Sequence, residues 1–271
     1  MMTPKQDAKR PILCNSWITG GGDPIVFVHG IGSSHNGWDG VVAGLGDTFR
    51  CITYDLRGHG VSPLPDGEFG LDELVEDLEA LRADLGIERW HVAGHSLGGM
   101  IGPAYARRYP ERTLSVALIS TAAGRTEEDA AKVQGVVAAM EEKGIGEVLG
   151  TLANRWYTDA FIAANPEVVE ARMRQVTGMS AEVFLNVFHI YAETEMAPWL
   201  QQVPVPCLVL TGELDGGCNP RLNRFIDAQL PDSRLVILDG LKHAILAEAP
   251  DQVARELRGF FLDVAQPAAA G

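Results

Sequence analysis

The run Gly94-His95-Ser96-Leu97-Gly98-Gly99 follows the apolar stretch Trp90-His91-Val92-Ala93 and precedes a helical pattern that stops at Pro110. A Gly-x-Ser-x-Gly element between a strand and a helix forces a turn so sharp that its serine takes a strained conformation. Small residues two before and two after the serine let the backbone fold back without a Cβ clash. The hydroxyl then points into open space at the end of a sheet. With 30 glycines and nine serines in 271 residues, chance alone gives about 0.1 such matches per chain. The strand before it and the helix after it supply the setting that the pattern needs. Ser96 is therefore singled out as a candidate covalent nucleophile.

The rest of the chain alternates strand and helix patterns. Candidate strands cover residues 25–28, 50–54, 90–93, 114–120, 207–211 and 235–238. They are short, apolar and bounded by Gly, Pro or Asp, as buried parallel strands should be. Between them, Leu71, Leu74, Val75, Leu78, Leu81 and Leu85 form one face of a helix that ends at Gly86. Residues 97–109, 220–230 and 250–261 read as further helices. This alternation predicts the α/β class: a mostly parallel central sheet with helices on both faces. An antiparallel segment near residues 12–19 is expected ahead of it.

One stretch breaks the pattern. Residues 123–203 read as helices only, at 133–143, 148–153, 166–176 and 181–191, and are rich in Trp, Tyr, Phe and Met. We read them as a helical cap inserted into a core made of residues 1–122 and 204–265. Residues 266–271 read as a disordered tail.

Composition limits the partners. A hydrophobic fraction of 46% with 21% charged residues is that of a soluble globular protein. No apolar run approaches the ~18 residues of a membrane span. Residues 1–11 are polar and lack an apolar signal core, which points to the cytoplasm. A net charge of −14 argues against nucleic acid and membrane surfaces as partners and leaves a small-molecule substrate. The oligomeric state stays open. Cys14, Cys51, Cys207 and Cys218 match no zinc or redox spacing. Cys51 and Cys207 read as buried fillers, and Cys218 as a bystander beside a candidate catalytic loop. No His/Asp/Glu cluster has ligand spacing, so neither a metal nor a cofactor is expected.

A serine needs a base to take its proton. In a strand–elbow–helix arrangement the partners follow in the order serine, acid, histidine. His243 fits the base: it follows the strand at 235–238 and precedes the helix that begins at Pro250. The acid belongs in Gly212-Glu213-Leu214-Asp215-Gly216-Gly217, where Asp215 and Glu213 compete. Asp215 is favoured, being farther from the strand and beside glycines that let the loop curl inward. The Leu97 N–H, at a helix start, and the Ile31 N–H, in His29-Gly30-Ile31-Gly32-Ser33-Ser34, are the expected oxyanion donors. His29, an expected loop anchor, joins His95, Arg155, Trp156, Tyr157 and Tyr191 as candidate substrate contacts. In Tyr54-Asp55-Leu56-Arg57-Gly58-His59-Gly60, Asp55 and Arg57 are expected to pin the loop and His59 to sit at the rim.

Over residues 20–263 these elements, together with Glu248-Ala249-Pro250 after His243, resemble the α/β-hydrolase superfamily. The resemblance implies Ser96 as nucleophile, Asp215 as acid and His243 as base, with Ile31 and Leu97 forming the oxyanion hole. The serine departs from haloalkane dehalogenases, which place aspartate there. Gly32-Ser33-Ser34 departs from the Gly-x-Gly-Pro-Gly of C–C hydrolases. The likeness is nearest to small carboxylesterases and 3-oxoadipate enol-lactonases. It implies a cofactor-independent cleavage of an ester, lactone or amide, with Arg155, Arg172 or Arg174 meeting a substrate carboxylate. Lys242 stands where many relatives carry a small residue. The rival readings are a C–C hydrolase or lyase that uses the same triad as base, and a small-molecule receptor on this fold.

Overall fold

Strands that are apolar on both faces must be covered from both sides, so they assemble into the middle layer of a sandwich. The computed structural model describes residues 5–265. Its strands are β1 (Gln6–Asp7), β2 (Ser16–Thr19), β3 (Pro24–Val28), β4 (Arg50–Tyr54), β5 (Pro65–Asp66), β6 (Trp90–His95), β7 (Thr113–Ile119), β8 (Cys207–Gly212) and β9 (Ser233–Leu238). Its α-helices are α1 (Asp39–Ala43), α2 (Leu71–Asp84), α3 (Gly98–Arg108), α4 (Glu127–Lys143), α5 (Ile145–Trp156), α6 (Asp159–Ala164), α7 (Pro166–Gly178), α8 (Ala181–Glu193), α9 (Pro220–Gln229), α10 (Ile245–Glu248) and α11 (Pro250–Ala265).

Seven strands form one sheet in the order β2-β4-β3-β6-β7-β8-β9. β2 runs antiparallel to β4, as the sequence led us to expect near residues 12–19, and the other pairs are parallel. Alternate residues of each strand feed two cores. In β3, Val26 and Val28 join α2, α3 and α9 on one face, while Ile25 and Phe27 join α1, α10 and α11 on the other. From β3 the chain crosses to β4 on one side, then returns to β6 on the other. Strand order therefore reverses between β3 and β6, and the crevice beyond their C-terminal ends is where such sheets bind ligands. The turn after β3 and Ser96 after β6 both open there.

The helical insert α4–α8 lies between β7 and β8. α4 begins six residues before its apolar periodicity does. Thr126 caps it: its Oγ1 accepts from the Asp129 amide at 3.2 Å, and Asp129 accepts from the Thr126 amide at 2.9 Å. α6, absent from the sequence reading, is started by Thr158, whose hydroxyl accepts from the Phe161 amide. Val137, Met140, Leu149, Phe184 and Phe188 form a core within the insert. Val183, Val187 and Ile190 of α8 instead belong to the main core, so α8 fastens the insert to the sheet. The expected tail at 266–271 lies outside the described residues.

Asp55 and Arg57 do pin the loop after β4. Asp55 accepts from the amides of His35 at 2.7 Å and Val61 at 2.9 Å. The fully buried Arg57 grips Asp77 of α2 through Nε and Nη2, each at 2.6 Å, and donates to the carbonyls of Ala8, Arg10 and Glu73. Removing one partner of such a pair strands a buried charge. Asp77→Ala is expected to cost about 3–5 kcal/mol in chemical denaturation. A loss below about 1 kcal/mol, the range of exposed ion pairs, would show that the pair is not structural.

Candidate active site

Ser96 sits between β6 and α3 with φ +57°, a left-handed conformation that costs a non-glycine residue roughly 1–2 kcal/mol. The Ser96 amide donates to the Ile119 carbonyl at 2.8 Å, which holds the turn to β7. The backbone closes on itself here. A Cβ at Gly94 would lie 2.0 Å from the Gly98 oxygen, and one at Gly98 would lie 2.1 Å from the Val28 oxygen.

The turn after β3 rests directly on the serine, because a Cβ at Gly30 would meet Ser96 Cβ at 2.9 Å. His59 accepts the Gly32 amide at 3.2 Å through Nε2, and its Nδ1–H donates to the Arg57 carbonyl at 3.0 Å. Ser33 N–H is taken by the Gly30 carbonyl at 3.2 Å. From the insert, Arg172 donates to the Ile31 carbonyl at 2.8 Å and to the Gly32 carbonyl. With the next two amides taken, Ile31 N–H is the donor at the apex left to a ligand. Across from it, Leu97 heads α3, where first-turn amides lack intrahelical acceptors and the helix dipole favours negative charge.

The loop after β8 supplies the carboxylate. Asp215 Oδ1 accepts from the amides of Gly217 at 3.0 Å and Cys218 at 2.8 Å, which aims Oδ2 at His243 Nδ1, 2.7 Å away. Glu213 instead caps the Gly240 amide at the surface. Burial alone would lower the His243 pKa and raise that of Asp215. The partner's opposite charge and the shared hydrogen bond outweigh it, so His243 is raised and Asp215 lowered. His95 Nε2 donates to the His243 carbonyl at 3.0 Å, and burial depresses its ring to about 3, keeping it neutral.

Ser96, His243, Asp215 and Ile31 share one cavity of about 1050 Å³. Of the expected contacts, His95, Arg155, Trp156, Tyr157 and Tyr191 line it. His29 does not. It is buried, its Nδ1–H donates to the Gly30 carbonyl at 2.8 Å, and its Nε2 accepts the Leu56 amide at 3.0 Å, so no ring nitrogen remains for a substrate. His59 is likewise no rim residue, being a buried strut. Arg172 lines the cavity, whereas Arg174 pairs with Glu170 on the exposed helix face. Arg125 also lines it and escaped the sequence reading. Its only signal was its place after β7, at the same sheet end as the elbow.

The insert is stitched to the segment that carries His243. The Ala244 amide donates to the Trp156 carbonyl at 2.8 Å, and Thr158 donates to Glu248 through N at 3.0 Å and Oγ1 at 2.5 Å. Lys242 reaches the Asn154 carbonyl at 2.9 Å and Asp159 at 3.2 Å.

Residues 23–141 match the family described as alpha/beta hydrolase fold. Over 226 residues the chain is 31% identical to 3-oxoadipate enol-lactonase 2 of Acinetobacter baylyi, covering 83% of this chain and 84% of that one. The chain belongs to the α/β-hydrolase family. Among solved structures, this α/β hydrolase is similar to a thermophilic esterase from Thermogutta terrifontis, with TM-score 0.84, 26% identity, and 93% and 94% of the two chains covered. It is also similar to the enol-lactonase from Burkholderia xenovorans LB400, with TM-score 0.84, 25% identity, and 92% and 96% coverage. Among the described residues of the hydrolase, no helix is long and apolar enough to cross a membrane.

Burial holds three further histidines neutral. His59 and His91 fall from 6.5 to about 4, and His29 well below its ordinary value. The unfolded chain protonates them near 6.5, while the folded hydrolase does not. Their contribution to stability is therefore intact above pH 6.5 and is lost as pH falls toward 4, by about 1.4 kcal/mol per pH unit for each group. Melting temperatures measured across that window should fall. The slope should be shallower in His91→Asn, which removes one such group outside the cavity. Equal slopes would overturn this account.

Proposed function

We propose that this α/β hydrolase cleaves a carboxylic ester or lactone of a small anionic molecule through a covalent acyl-serine. The Asp215–His243 hydrogen bond, facing the same cavity as the strained Ser96, carries the reading. His243 takes the Ser96 proton as Oγ attacks the carbonyl carbon. Asp215 fixes the tautomer and stabilises the imidazolium, consistent with the raised basicity of His243. The Ile31 and Leu97 amides receive the oxyanion. Collapse of the tetrahedral intermediate returns the proton from His243 to the leaving oxygen. Water, deprotonated by His243, then releases the acid. In a lactone the leaving oxygen stays tethered to the acyl chain, so the cavity must hold the whole opened molecule until water attacks.

The anionic preference rests on two guanidinium groups. Arg125 and Arg172 both line the cavity, and neither pairs with a carboxylate among the described residues. Arg125 Nη2 is buried without a hydrogen-bond partner. Burial depresses Arg172 to about 10, the mark of a cation short of a counter-ion. The Acinetobacter relative is named for an oxoadipate lactone, and the Thermogutta esterase was solved with malate bound; both names carry carboxylates. We place residues 123–203 as the substrate-selecting cap over a core of 1–122 and 204–265, with Arg155, Trp156, Tyr157 and Tyr191 among its substrate contacts.

A fluorophosphonate probe should modify Ser96 alone, read by intact mass and peptide mapping, and Ser96→Ala should lower ester turnover by ~10³-fold or more. An unmodified, folded protein would refute the acyl-serine. Arg125→Gln should lower kcat/KM for a carboxylate-bearing ester roughly 10- to 100-fold relative to its uncharged counterpart. An unchanged ratio would refute the anionic preference.

A further inference from the structure

Groups from two segments that the sequence keeps apart meet at one corner of the cavity. Asp215 and Cys218 come from the loop after β8 and His243 from the segment after β9, and one ligand atom from each lies within 4.8 Å of the other two. We propose that Asp215, Cys218 and His243 form a binding site for a thiophilic divalent cation such as Zn²⁺, and that the bound ion shuts the enzyme off. The binding stands on geometry alone; the inhibition rests on the hydrolase reading above.

A carboxylate oxygen, a thiolate and an imidazole nitrogen are the donor types that zinc takes, at about 2.0–2.3 Å. Tetrahedral bonds of that length set the ligand atoms roughly 3.5 Å apart, so closure needs shifts of about 1 Å or less. The loop is pinned where two ligands originate. The Cys218 carbonyl accepts from Thr211 Oγ1 at 2.8 Å and from Asn223 Nδ2 at 2.7 Å, while Asp215 is held by the Gly217 and Cys218 amides. The Tyr191 hydroxyl lies 3.3 Å from Cys218 Sγ, in place to donate to a metal-bound thiolate. All three ligand residues line the cavity, which gives an ion its route in and leaves the fourth position to water.

Binding releases the Cys218 thiol proton to solvent as the S–metal bond forms. Either nitrogen of His243 gives the same outcome. An ion on Nδ1 replaces the hydrogen bond to Asp215, and the displaced ring proton moves to Nε2, filling the lone pair that must take the Ser96 proton. An ion on Nε2 occupies the lone pair that must take the Ser96 proton. The base is lost in both cases.

The test is to titrate EDTA-treated protein with Co²⁺ and follow its absorption. One equivalent should produce a thiolate-to-cobalt charge-transfer band in the near ultraviolet, displaced by Zn²⁺. The band should vanish in Cys218→Ser and Cys218→Ala, each checked for folding by circular dichroism. Tyr191→Phe should weaken Co²⁺ binding about tenfold or more. Zn²⁺ should inhibit ester hydrolysis reversibly with EDTA, and Cys218→Ser should need about tenfold more Zn²⁺, or above, for half-inhibition. A folded wild-type protein without the band, or a folded Cys218 variant that keeps it, overturns the site. Binding without inhibition overturns the shut-off. Should no ester be cleaved, the cobalt band still reports the site, so the two readings fail separately.

Discussion

The peptide at Ser96 is the constraint on which the cavity depends. β6 ends and α3 begins within two residues, and the backbone manages this only by entering the left-handed region at a serine. Nothing local favours that conformation. It persists because β7 accepts the Ser96 amide and because glycines at 94 and 98 let carbonyl oxygens approach where any side chain would collide. One strained residue thereby aims a hydroxyl, starts a helix toward the same spot and leaves a surface flat enough for the turn after β3 to lie against it.

Around that peptide, charge and neutrality are divided by partner. The buried Asp215 pairs with the half-buried His243, and Arg57 and Asp77 are buried as a pair. His29 and His59 are buried alone and stay uncharged, each ring donating from one nitrogen and accepting at the other. They act as rigid spacers between the turn after β3 and the loop after β4. Arg125 and Arg172 break the rule, and both face the cavity.

Features set by neighbours in sequence were legible before the structure. The elbow, the strand–helix alternation and the order of Ser96, Asp215 and His243 are local patterns read in series. Choices made by distant groups were not. Asp215 is favoured over Glu213 by its adjacent glycines, but that its second oxygen meets His243, 28 residues on, follows only from the folded loop. His29 reads from the sequence as a loop anchor and a substrate contact; it is the anchor alone, because Leu56, far along the chain, holds its second nitrogen. Arg125 belongs to no motif; strand order alone brings it to the elbow. The early start of α4 was written in Thr126 and Asp129 but lay outside its apolar periodicity, so a reading by hydrophobic spacing passed over it.

The hydrogen bonds that join Asn154, Trp156 and Thr158 with the segment around His243 tie two properties that enzymes often keep separate. The end of α5 and the start of α6 contribute side chains to the cavity wall, and the same stretch holds the segment that carries the imidazole. Under the proposed mechanism, a substitution there that refits the wall to a new molecule also shifts the proton acceptor. Ligand preference and turnover in this scaffold are therefore inherited together, and variants with altered selectivity should most readily arise from α7, Arg125 and α4, which face the cavity without bracing the histidine.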